Sequence, residues 1–197
     1  MWQLSRPTAE RVREYREAQR RLPFSYPCVG VTRDGGATPA GYDRDRNRQL
    51  LGTGAAAFAT ARDAIRAWRM FPAPLATIEP AGTPIAEGEV AGVIVHAFGV
   101  WFLNAARIVY VIDEPRRFGF AYGTLPGHAE RGEERFLIEW LTDDTVWYDL
   151  DAISRPRYWA ARVAYPVARR LQRRFAWLSK ASMAAAVAPR AVRPIPM

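Results

Sequence analysis

From Leu75 to Ile153 apolar and polar side chains alternate with a period of two, and that period predicts strands. Candidate strands cover 75–79, 89–97, 101–112, 117–125, 133–141 and 145–153. The polar turns EPAGTP, DEPRR, PGHAERG and LTDD separate several of them. Connections this short join consecutive antiparallel neighbours. An earlier strand is expected at 26–33, YPCVGVTR, followed by the Gly- and Pro-rich loop DGGATPAGY.

Elsewhere the period is helical. Between Leu50 and Met70, Phe58, Ala61, Ile65 and Trp68 fall on one face, Arg62, Asp63, Arg66 and Arg69 on the other, and FPAP ends the run. A shorter helix is expected from Thr8 to Arg20, with Val12 and Tyr15 on its stripe and Pro23 beyond it. The last helix is expected from Arg157 to Ala186, bent near Pro166. Ala160, Ala164, Val167, Leu171, Phe175 and Leu178 share its apolar flank, with Arg155, Arg162, Arg169, Arg170, Arg173 and Lys180 opposite.

A sheet of this many strands twists and curls, and its concave side needs a cover. The last helix has the apolar flank to supply one. The order of elements therefore predicts an α+β helix-grip fold, a curved antiparallel sheet of about six to seven strands closed by the long C-terminal helix. One domain is expected over 1–186, including the N-terminal helix, with a flexible basic Pro/Ala-rich tail at 187–197. Because a helix rarely fills a curled sheet, a cavity is expected between them.

Composition adds three things. Seven Trp, eight Tyr and nine Phe suit a sheet-rich core or an aromatic-lined cavity. Cys28, the one cysteine, cannot form an internal disulfide, which points to a reducing, cytoplasmic setting; its ordinary role is a small buried hydrophobe. All of the basic excess lies from Arg155 onward, where ten Lys or Arg meet no Asp or Glu. Arg makes up 27 of the 28 basic residues, a bias that a GC-rich bacterial genome explains without special Arg chemistry. The longest uncharged run, VAGVIVHAFGVWFLNAA at 90–106, is too short to span a bilayer, so no transmembrane segment is expected.

At FSYPCVGVT (24–32), PAGY (39–42), LGTGAAAF (51–58), ARIVYVIDEPRRFGFAYGTLPGHAERGEERF (106–136), SRP (154–156) and YPVARRLQRRFA (165–176) the sequence resembles the family catalogued as domain of unknown function 1990, found in bacteria and plants. The block at 117–136 carries the most specific part of the likeness, and Ala129 departs from it where Pro is expected after the histidine. The resemblance implies a fold similar to the START-like, SRPBCC helix-grip superfamily. It implies no activity: that superfamily includes lipid carriers, hormone receptors, polyketide cyclases and chaperone activators, and fold does not choose among them.

Candidate chemistry centres on the hairpin FGFAYGTLPGHAERGEERF. Alternation puts Phe118, Phe120, Tyr122 and Thr124 on one face, with Gly119, Ala121 and Gly123 opposite, where something can approach closely. Glu134, Phe136, Ile138 and Trp140 form the inward set of the next strand. Glu134 either pairs with Arg107 or sits wet at the mouth of its strand. His128 suits proton transfer beside a carboxylate, or it simply completes a Pro-Gly-His turn with a local hydrogen bond. His96, on an apolar strand, reads as a core histidine.

The primary expectation is a binding protein for a hydrophobic small molecule, lipid or polyketide-like, anchored by Arg107, Tyr110, Tyr122, Glu134, Phe136, Trp140 and Tyr148. An enzyme of cyclase, hydrolase or isomerase type, using His128 or Glu134, is the alternative. A third reading has Arg162, Arg169, Arg170 and Arg173 meet an anionic surface or nucleic acid. No metal or cofactor is expected. Two histidines and one cysteine match no zinc spacing, and LGTGAAAF lacks the Lys and Ser/Thr of a phosphate loop.

Overall fold

A computed structural model describes residues 1–33, 35–156 and 165–188. The described strands are β1 (Trp2–Gln3), β2 (Asp43–Thr53), β3 (Ala76–Glu79), β4 (Val90–Ala97), β5 (Val100–Glu114), β6 (Arg117–Thr124), β7 (Glu130–Trp140) and β8 (Thr145–Pro156). The helices are α1 (Ala9–Arg20), α2 (Gly54–Arg66) and α3 (Tyr165–Val187). One antiparallel sheet runs β2-β8-β7-β6-β5-β4-β3, with the short β1 added on β5. From β3 to β8 it is a meander. α2 carries the chain from β2 at one edge to β3 at the other, and α3 returns across the concave side. This is a helix-grip fold.

Two sequence expectations change here. Residues 26–33 form turns rather than a strand, because Gly30 takes the left-handed conformation (φ 88°) and the backbone amides of Gly30 and Thr32 turn toward Glu133. The missing edge strand is β2, whose first seven residues, DRDRNRQ, look like a solvated loop. Its Arg44, Arg46 and Arg48 instead point to the convex side, where Asp151 and Glu139 meet them. Leu50–Thr53 belongs to this strand, so the helix expected from Leu50 starts at Gly54.

Both faces of the sheet are covered. On the concave side α2 and the Trp68–Phe71 turn pack Phe58, Ile65, Trp68 and Met70 against Phe120, Phe136, Ile138 and Tyr148. On the convex side α1, capped by the Thr8 hydroxyl accepting from Arg11 N, lays Val12 and Tyr15 against Val90, Ile94, Leu103 and Leu125. Beyond α1, residues 24–33 run over the same side.

The seam of α3 is rotated from the expected flank. Ala176, Ser179 and Met183 are buried, Leu171 and Phe175 are half-buried, and Val167 is exposed. Ser179 Oγ lies 2.8 Å from Tyr148 Oη and ties the helix to β8. The expected helical start at 157–164, with Arg162, and the tail beyond Ala188 lie outside the described residues. Among the described residues no helix is long and apolar enough to cross a membrane.

Candidate functional site

α2 fills only one end of the concave face. At the other end α3 bridges the sheet and leaves a cavity of about 700 Å³. Its walls are largely apolar: Phe71 after α2, Val93 and Val95 on β4, Leu150 on β8, and Leu171 and Phe175 on α3. This volume is in the range of small-molecule sites. Phe98 at the tip of the β4–β5 hairpin (75% exposed) and Trp177 on α3 (66% exposed) also line it, and both are apolar side chains largely in water.

Polar groups collect where β2, β7 and α3 meet. The alternation of β7 turns Glu130 and Glu134 inward, and both line the cavity. The Tyr122 hydroxyl, across the strand pair from Glu134, donates to Glu134 Oε2 at 2.5 Å. Gln172 Nε2 on α3 donates to both Glu130 oxygens at 2.7 and 2.8 Å. Asp45 on β2 is held in a two-pronged ion pair by Arg169, whose Nη2 lies 2.6 Å from Asp45 Oδ1.

Burial moves these acids upward. Glu134 is pushed up to about 7, first by loss of water, then by Glu130 and Asp45, with the Tyr122 hydrogen bond opposing. Glu130 is raised by the same loss of water, opposed by Gln172 and Arg169. Tyr122 lies well above its ordinary value, through burial and then the Glu134 charge, so its hydroxyl is a proton-bearing donor. The arrangement is a carboxyl that titrates near neutrality, bonded to a phenol, at one end of an apolar chamber.

The residues expected from sequence divide. Tyr122, Glu134 and His128 line the cavity. His128 Nδ1 accepts from Glu130 N at 3.0 Å, which is the local turn bond. Phe136 and Tyr148 are fully buried in the filled end, and Trp140 packs on Phe58 with Nε1 bonded to Asp144. Arg107 and Tyr110 are on the convex side. Arg107 does not pair with Glu134: its Nη2 donates to the carbonyls of Arg20 (2.5 Å) and Leu22 (2.9 Å), closing the end of α1. Tyr110 bonds Thr32 Oγ1 at 2.8 Å, and burial pushes it up to about 12. His96 is only half-buried and stacks on Trp101 at 4.2 Å. Arg169 is turned inward to Asp45, so only Arg170 and Arg173 of the described basic set are exposed.

Sequence reasoning missed Asp45, Asn104, Glu130 and Gln172. Glu130 carried a signal, because it shares the parity of Glu134 once β7 is extended back through Gly132. The alternating signs of β2 carried another.

Comparison with known proteins agrees with this architecture. A family model described as Domain of unknown function (DUF1990) matches residues 25–182. A UPF0548 protein of Dictyostelium discoideum is 32% identical over 195 residues, spanning 89% of this chain and 90% of its own. A UPF0548 protein of Deinococcus radiodurans is 37% identical over 184 residues, spanning 88% and 92%. An amoeba and a bacterium thus share the sequence, and a bacterial source does not follow from it. Among solved structures, the Zhui aromatase/cyclase from Streptomyces sp. R1128 is similar with a TM-score of 0.54 at 12% identity, covering 74% of this chain and 93% of that one. At that identity the likeness is one of fold.

Proposed function

The chain belongs to the DUF1990 family, whose function is unknown, and from its cavity we propose that it binds a hydrophobic small molecule between the sheet and α3. The observation that carries this reading is the division of the concave side. Aromatic and aliphatic side chains plug one end completely, while the other end stays open over about 700 Å³ with apolar walls. Interiors are otherwise packed to the density of organic crystals, and a void this large in a single domain is a built feature. Phe98 and Trp177 extend its apolar lining to the surface, where a greasy molecule arrives from water.

Native mass spectrometry of protein purified from its own host tests this reading. A co-purified apolar species is expected, and Ala168→Trp, which places an indole at the cavity wall, is expected to lose it. Protein that stays empty in every host extract overturns the reading.

A second reading, proton transfer to or from the bound molecule, is favoured by one specific observation: Glu134 lines the cavity bonded to Tyr122, where burial pushes its carboxyl up to about 7. A general acid–base works best at that value. Glu134→Gln keeps the shape and removes the titration. If the protein is an enzyme, the variant should accumulate a bound species of different mass from the wild type. The same mass in both leaves a carrier. The interaction reading through Arg162, Arg169, Arg170 and Arg173 has less support, since Arg169 is engaged within the domain.

A further inference from the structure

Resting on the ligand-binding reading, we propose that the cavity takes a hydrophobic molecule whose polar end is a hydrogen-bond donor, a hydroxyl or an amine, and not a carboxylate or phosphate. The first ground is charge. Asp45, Glu130 and Glu134 all line the cavity, and among the described residues only Asp45 has a cation in contact, Arg169. Glu130 and Glu134 are held by neutral donors, Gln172 and Tyr122. The charges that act on Glu134 are those of Glu130 and Asp45, both negative. Arg46, His128, Arg173 and Lys180 also line the cavity, but Arg46 pairs with Asp151, His128 accepts from Glu130 N, Lys180 is engaged with Asn47 on β2 at 3.3 Å and Arg173 is exposed. An anionic end would therefore meet the ionised Glu134, which has no cation bonded to it among the described residues, in apolar surroundings where like charges repel strongly.

The second ground is hydrogen-bonding capacity. Tyr122 occupies Glu134 Oε2, and among the described residues no group donates to Oε1. Asn104, 4% exposed, also lines the cavity. Its Oδ1 accepts from Ala129 N at 3.2 Å, which fixes the orientation of the amide, and among the described residues its Nδ2 donates to no atom. The ionised Glu134 thus offers the cavity an acceptor at Oε1, and Asn104 offers it a donor at Nδ2. A neutral oxygenated molecule satisfies both. Among the described residues no three acids, histidines or cysteines converge as metal ligands would.

Calorimetric titration and ligand-observed NMR with three probes sharing one aromatic body test this: 2-naphthol, 2-naphthylmethylamine and 2-naphthoate, at neutral pH and constant salt. The naphthol or the amine should bind at least about tenfold more tightly than the naphthoate, and Glu134→Gln should shrink that gap to about threefold or less. The amine leading identifies a cationic end, and the naphthol leading a hydroxyl. Naphthoate binding as tightly as both others overturns the proposal while leaving the pocket in place, as does a gap that Glu134→Gln and Glu130→Gln both leave unchanged. If none of the three binds, or binding survives Ala168→Trp intact, the pocket reading itself fails.

Discussion

Glu133 and Glu134 are adjacent in the chain and point to opposite faces of β7, where they meet opposite chemistry. Glu134 faces the cavity and is bonded there by the Tyr122 hydroxyl. Glu133, buried on the convex side, accepts from Tyr26 Oη (2.6 Å), Gly30 N (2.6 Å), Thr32 N (3.0 Å) and Thr32 Oγ1 (2.5 Å). Arg135, two residues on, donates to Thr32 O at 2.9 Å. One strand thus clamps the segment 24–33 with one face and furnishes the cavity with the other.

Glu133→Gln should therefore destabilise without touching the cavity. The amide keeps one acceptor and turns its NH2 toward a backbone N–H, that of Gly30 or of Thr32, which can only donate. The expected cost is about 2–4 kcal/mol in urea unfolding, with faster hydrogen exchange at the Gly30 and Thr32 amides. Glu139→Gln, on the same face with partly exposed partners Arg48 and Arg117, should cost less than about 1 kcal/mol. Equal costs for the two would remove the clamp.

The meander and the gripping helix were legible because their periods are uninterrupted, and Tyr122 and Glu134 were legible as inward-facing for the same reason. Arg107 was misplaced for two physical reasons. Its face is apolar because α1 and residues 24–33 cover the convex side as well, so apolar does not mean concave. A register shift between Ile108 and Tyr110 then breaks the parity that groups Arg107 with Val111. Gly123 shows the same limit. Its pattern foretold a close approach, and a Cβ there would lie 2.3 Å from Tyr26 Oη. Nothing local says that the neighbour is Tyr26 rather than a ligand.

Stability should fall as pH rises through the range set by Glu134. Folding raises this carboxyl from its ordinary 4.5 to about 7, so the folded state holds the proton more tightly than the unfolded chain. That advantage is whole below 4.5 and is lost progressively as pH rises to about 7. The loss is about 3 kcal/mol, and Glu134→Gln should abolish it. Glu130 is shifted in the same direction, so Glu130→Gln with Glu134→Gln should give the flattest profile. A wild-type stability that rises across this window would contradict the buried carboxyl.

The Tyr148–Ser179 bond should act as a coupled pair. Both residues are fully buried, and the bond joins β8 to α3. Ser179→Ala leaves a phenol hydroxyl without a partner, at about 1–2 kcal/mol. Tyr148→Phe costs less, because a helical serine can turn back to its own helix carbonyl. The double variant should cost about 1 kcal/mol less than the sum of the single ones, measured by urea unfolding of all four proteins. Strict additivity would mean that the two hydroxyls do not hold each other.

Arg169 should govern how tightly α3 closes the cavity. Its two-pronged contact with Asp45 joins the first turns of α3 to the edge strand β2, and the side chains retain only 18% and 31% of their exposure. Arg169 also donates to Gln172 at 2.8 Å, and Gln172 holds Glu130, so one guanidinium orders the chain of contacts from β2 through α3 to β7. A pair this sheltered is worth more than a surface ion pair and less than a fully buried one, about 1–2 kcal/mol. Arg169→Ala should lose that stability, raise hydrogen exchange in the first turns of α3, and speed release of any cavity-bound probe. Arg174→Ala, which removes an exposed charge from the same helix outside the cavity lining, should stay within about 0.5 kcal/mol of wild type and leave release unchanged. If the two substitutions behave alike, the basic residues of α3 serve as an exposed charged surface, and the closure described for Arg169 is wrong.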